Sequence, residues 1–160
     1  AGSADADAAA APAVVRTGRR GVTTPEAERR DAPRPPLFDL VGGMPFFERL
    51  IDHFYEGVAA DPVLLRLYDA EDLAGARRRL MLFLVQYWGG PAIYSEERGH
   101  PRLRARHFAF PIGSEERDHW RARMDEAIRR TADEVGLDEA QRDQLDTYFE
   151  LAAEAMRNRE

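Results

Sequence analysis

Residues 100–110, HPRLRARHFAF, gather side chains that can do chemistry. One imidazole, His107, stands among Arg102, Arg104 and Arg106. Pro101 suits the first turn of a helix, where a missing N–H costs nothing, and Pro111 marks a stop. The spacing predicts a helix over 101–110, about two and a half turns long. On it Leu103, His107 and Phe110 fall at i, i+4 and i+7 and so share a face. An apolar face with one imidazole inside a cationic rim suits a flat, apolar, iron-bearing ligand with anionic edges. Haem has that chemistry. The same pattern also fits a hydrogen-bonded structural histidine, the commoner use of a lone His beside apolar residues.

Other chemistries find little support. His53, His100 and His119 lie on separate segments, so a metal site would require the fold to gather them. The chain has no cysteine. That excludes disulfides, thiolate zinc sites and cysteine nucleophiles, and it fits a reducing cytoplasm, the expected location. No P-loop, dinucleotide fingerprint, HExxH, EF-hand loop or nucleophile elbow occurs. Glu96-Glu97 and Glu115-Glu116 read as solvated faces. A net charge of −6 and a pI near 5.3 argue against a nucleic-acid partner. No apolar run reaches the roughly 20 residues that a membrane-spanning helix needs.

These groups must be positioned by the rest of the chain. Residues 1–36 hold five of the ten prolines, an Ala-rich run, and six Arg against five Asp and Glu. They read as a disordered tail, with a partner-binding arm as the alternative. The run ADAAAAPAVV has no basic residue before it and does not read as a secretory signal. Residues 37–160 form one domain, large enough for a core.

Within that domain Gly42-Gly43 permits a chain reversal. A helix then runs from about Pro45 to Ala60, with Phe46, Phe47, Leu50, Ile51, Phe54, Tyr55 and Val58 on its apolar side. His53, about 200° around the helix from Tyr55, reads as a surface residue. The Tyr55 hydroxyl needs a partner: water, a carbonyl or a ligand. Asp61-Pro62 opens a short helix closing at Tyr68. From 72 to 88, Leu73, Ala76, Leu80, Phe83, Leu84 and Tyr87 share a face. Ala74-Gly75-Ala76 thins that face, so another helix or a ligand can approach it. Gly89-Gly90-Pro91 ends the helix, and 91–100 read as a loop. Ser114 is expected to cap a helix reaching Val135, with Trp120, Met124, Ala127 and Ile128 inward and His119 partly exposed. Arg117 then breaks the capping-box pattern. Gly136 breaks that helix, and Asp138 caps a last one that buries Leu145, Tyr148, Phe149, Ala152 and Met156. Every long segment has the helical period and none alternates with period two, so the fold class is all-α.

The strings YDAEDLAGA and FLVQYWGGPAIYSEERGHPRLRARH, with Trp120 and the two glycine pairs, resemble the group II, or O-type, truncated haemoglobins over about 38–157. The resemblance implies a truncated globin, a two-over-two helical sandwich around haem b. It implies His107 as the proximal iron ligand, with the Leu103 carbonyl within reach of the other ring nitrogen. It makes Tyr55, Tyr68 and Trp120 distal hydrogen-bond donors. Ala76 matches the position where many globins place a histidine, and Leu80 and Leu84 match apolar residues above the haem. Phe110 and Met124 are then candidates to bury the macrocycle, and Tyr94, His100 and Arg106 candidates for its propionates. The implied function is O₂ binding at a five-coordinate iron, with NO and CO as further ligands. The alternative is a redox enzyme using the same haem for NO dioxygenation or peroxidase-like turnover, with a reductase as partner. Whether the protein is an enzyme, and whether it self-associates, stays open at this point.

Overall fold

The computed structural model describes residues 34–160, so nearly all of the expected tail lies outside the described residues. The described residues form helices α1 (Leu37–Leu40), α2 (Met44–Ala59), α3 (Pro62–Leu65) and α4 (Leu73–Tyr87), followed by α5 (Ile93–Arg98), α6 (Leu103–His107), α7 (Ser114–Val135) and α8 (Glu139–Ala155). They contain no strand. No helix among them is long and apolar enough to cross a membrane.

Helix α2 follows from its apolar spacing and its start. Gly43, at φ 81° and ψ −150°, turns the chain, and Pro45 sits in the first turn. Phe46, Phe47, Leu50, Ile51, Phe54, Tyr55 and Val58 are all 5% exposed or less. Each fully buried aliphatic or Phe side chain contributes about 1.5–3 kcal/mol over its exposed state. This stripe packs α2 against both α4 and α7, and α7 packs in turn on α8. The result is two helix pairs, α2 with α4 and α7 with α8, stacked as a two-over-two globin sandwich. Short α3 fills the corner between α2 and α7.

The turn after α4 needs both of its glycines. Gly89 has φ +95°, and a Cβ there would lie 2.5 Å from Pro36 Cβ. A Cβ on Gly90 would lie 2.6 Å from Val85 Cγ1 and 2.7 Å from Phe38. The backbone can pass under Phe38 only without side chains.

Several local expectations change. Helix α3 ends at Leu65, before Tyr68. Tyr87 is 44% exposed, whereas Leu82 and Val85 are buried, because α4 is covered by α2 on one side and α5 on another. The expected loop at 91–100 contains α5, which is pinned from outside: Gln86 Nε2 donates to Ser95 Oγ at 2.7 Å, and Ser95 N donates to Gln86 Oε1 at 2.9 Å. Helix α6 covers only five residues. Arg102 before it is left-handed at φ 42°, which leaves Pro101 outside the helix. Gly113, not Ser114, is the cap of α7. That one-residue shift puts Glu116 at the third helical position, where its Oε2 accepts from Gly113 N at 2.9 Å. Nor is His53 a surface residue: its side chain is 11% exposed, and Nε2 lies 2.8 Å from Glu134 Oε1, tying α2 to α7. His119 is 38% exposed at the side chain, as expected.

Candidate haem site

A cavity open to solvent on one side lies where the helix pairs meet. Helix α2 contributes Tyr55, and α3 with the turn after it contributes Leu64, Leu67 and Tyr68. Leu80 comes from α4, His107, Phe110 and Ile112 from the segment at α6, and Glu116, Arg117 and Trp120 from α7. Ala153 and Met156 close it from the α8 end.

His107 is half-buried at the end of α6. Its Nδ1–H donates to the Leu103 carbonyl at 2.7 Å, the i−4 partner on its own helix. A carbonyl only accepts, so the proton sits on Nδ1 and the lone pair of the neutral ring sits on Nε2. The chain after His107 turns sharply, with Phe110 N donating to His107 O at 3.0 Å. Phe110 thereby keeps its ring 6.5 Å from the imidazole, and the shared face survives although the helix is short. Asn158, from the far end of the chain, clamps this turn. Its Nδ2 donates to the carbonyls of His107 at 3.2 Å and Phe110 at 2.8 Å, and its Oδ1 accepts from Ile112 N at 3.0 Å.

Three donors from different elements converge on the opposite chemistry. Burial pushes the Tyr68 hydroxyl up to about 12, while hydrogen bonds from Tyr55 and Trp120 to its oxygen act the other way. The Tyr55 and Tyr68 rings stand 5.7 Å apart, edge to face. Phe54 braces the set, 5.1 Å from Tyr55 and 5.2 Å from Trp120. Beside Trp120, Asp61 caps α3 through Val63 N at 3.1 Å and also holds α7, meeting His119 Nδ1 at 2.9 Å and Arg123 Nε at 3.0 Å.

The rim is charged. Glu116 is not a solvated acid: its side chain is 12% exposed and 2.6 Å from Arg66. The Gly113 amide, with Arg66, holds its carboxyl below the usual range against the opposing effect of burial. Arg117 pairs with Glu154 at 2.5 Å.

The structure therefore brings Tyr55, Tyr68, Leu80, Phe110 and Trp120 around one cavity with His107. It places six other expected residues away from the cavity wall. Ala76, Leu84 and Met124 are buried in the helix packing. Tyr94 is buried 5.6 Å from the Phe83 ring. His100 is exposed, its Nδ1 accepting from Arg102 N at 3.2 Å. Arg106 folds back onto the carbonyls of Pro101 at 2.8 Å and Arg98 at 3.2 Å. Sequence reasoning missed Leu64, Leu67, Ile112, Glu116, Arg117, Ala153, Met156 and Asn158. Only Leu64, Leu67 and Met156 carried a signal, as apolar positions in or directly after their helices. The donor set fits haem: an apolar cleft, one imidazole with its lone pair on Nε2, and hydroxyl and indole donors in the same cavity.

Comparison with known proteins agrees. The chain belongs to the bacterial-like globin family, whose model matches residues 36–158, and within it to the group II truncated haemoglobins. It is 43% identical over 116 residues to the group 2 truncated haemoglobin of Bacillus subtilis (strain 168), covering 72% of this chain and 84% of that protein. Among solved structures, a thermostable haemoglobin from the actinobacterium Thermobifida fusca matches with a TM-score of 0.72 and 53% identity, over 77% of this chain and 97% of that one. A truncated oxygen-avid haemoglobin from Bacillus subtilis matches with a TM-score of 0.67 and 40% identity, over 77% and 99% respectively. Membership of the globin family implies a haem cofactor and diatomic ligands.

Proposed function

We propose that the cavity holds haem b through Nε2 of His107 and binds O₂, with NO and CO as further ligands, beneath Tyr55, Tyr68 and Trp120. The observation that carries this reading is that Tyr55, Tyr68 and Trp120 line the same cavity as an imidazole whose proton is fixed on Nδ1. Haem, when bound, supplies an iron centre that coordinates diatomic gases reversibly. The chain's own groups do the rest. The Leu103 carbonyl orients the imidazole and raises the basicity of Nε2. Leu64, Leu67, Leu80 and Phe110 give the cleft its apolar wall. Because the Tyr68 oxygen accepts from both neighbours, its O–H is a polarised donor toward a partly negative guest. Ala76 offers only a buried methyl, so the donors come from α2, α7 and the turn at 66–68. Residues 37–160 carry the globin unit, with Pro36 capping its first helix.

A donor-rich pocket delays O₂ release, which also favours turnover: NO dioxygenation or peroxidase-like chemistry supplied by a reductase. The test of the cofactor reading is the absorption spectrum of the full chain and of His107→Gly. The parent shows a Soret band. His107→Gly loses tight haem retention and regains a five-coordinate spectrum on addition of imidazole. Unchanged haem affinity and spectrum in His107→Gly would contradict the assignment.

A further inference from the structure

Aromatic contact does not stop at the cavity. The Trp120 ring lies 5.8 Å from Phe149, and Phe149 lies 5.1 Å from Tyr148 and 5.7 Å from Trp88. Tyr148 and Trp88 are 4.7 Å apart. Both touch Tyr87, at 4.4 Å and 5.2 Å. Exposure rises along this line: Phe149 is at 0%, Tyr148 and Trp88 at 6%, and Tyr87 at 44%. One redox-inert ring, Phe149, separates Trp120 from an oxidisable Trp–Tyr pair, and that pair touches a phenol at the surface.

We propose that Tyr87 is a surface oxidation site, connected to the cavity through Trp120, Phe149 and the Trp88–Tyr148 pair, where oxidising equivalents from a peroxide reduced in the cavity reach phenolic reductants too large to enter. The inference rests on the haem reading above. The terminus follows from exposure. Tyr148, at 6%, is closed to an outside reductant, whereas Tyr87, at 44%, meets one at the surface and releases its proton to solvent, although partial burial raises its hydroxyl as well. Without a reductant, two Tyr87 phenols from two molecules couple. Two electrons and two protons leave them, one ring carbon–carbon bond forms, the O–O bond of one hydrogen peroxide breaks, and two waters result.

The experiment uses the haem-loaded full chain, its Soret band checked first, treated with hydrogen peroxide and no reductant. Dityrosine fluorescence and peptide mass spectrometry locate the product. The expected result is a Tyr87–Tyr87 cross-link, lost in Tyr87→Phe and largely lost in a Trp88→Phe, Tyr148→Phe double variant that keeps Tyr87. Added phenol suppresses the cross-link and is itself oxidised. Equal cross-linking in the double variant would overturn the proposal, since oxidant would then reach Tyr87 from solution. So would peroxide consumption with Tyr87 unmodified. A chain without a Soret band would instead overturn the haem reading, and the relay with it.

Discussion

Trp120 stands on a helix of 22 residues and Tyr55 on one of 16, whereas His107 ends a helix of five. The first two are fixed by packing: Phe54 at 0% exposure touches both rings, and Phe149 at 0% backs Trp120. The imidazole is fixed by a few hydrogen bonds, from its own Nδ1 to Leu103 and from Asn158 to the turn that follows. Next to it Phe108 is 77% exposed, and Leu103 is the one buried residue of α6. The donors are thus as stable as the core, while the imidazole sits on a segment that can open by itself.

Cutting into each side should show this difference. Phe149→Ala should cost about 3–5 kcal/mol of global stability, as a large aromatic lost from a closed core does. Urea unfolding measures it, and a loss confined to residues near 107 would contradict the division. Asn158→Ala should cost about 1–3 kcal/mol, because the carbonyls of His107 and Phe110 lose their donor. That loss should appear in hydrogen exchange of amides 107–112, with α2 unchanged. The third effect is electrostatic. Burial raises the Asp61 carboxyl, but its bonds to His119, the Leu64 amide and Arg123 outweigh burial and hold it below its ordinary value. A group whose folded value is lowered contributes stability above its unfolded value, near 3.9, and loses it as pH falls through the folded one. Acid titration of the melting temperature should therefore be shallower in Asp61→Asn than in the parent below about pH 4, and the variant less stable at neutral pH.

The same contrast governs what could be read from the sequence. Helices α2, α7 and α8 showed their faces through the 3.6-residue period, and Tyr55 and Trp120 came with them. The period does not say where a face leaves the cavity: Met124, one turn beyond Trp120, is buried away from it. On the proximal side a run bracketed by two prolines looked like one helix. The left-handed backbone of Arg102 cuts it short, and no residue type announces that. Helix α5 was invisible because its anchor, Gln86 to Ser95, is a tertiary contact. Asn158 was invisible for the same reason, being 51 residues from the His107 carbonyl it holds.

On the reading proposed above Tyr55, Tyr68 and Trp120 hold the bound gas, and the rate of O₂ release measures that hold. Trp120→Phe keeps a ring against Phe54 and Phe149 but removes the N–H that serves Tyr68. A hydrogen bond is worth about 0.5–1.5 kcal/mol net, and more when the acceptor carries charge. Stopped-flow measurement should then show O₂ leaving about tenfold faster, since 1.4 kcal/mol is a factor of ten. CO, less polar when held, should respond more weakly. An O₂ release rate in Trp120→Phe within about twofold of the parent, a difference of roughly 0.4 kcal/mol, would contradict the account.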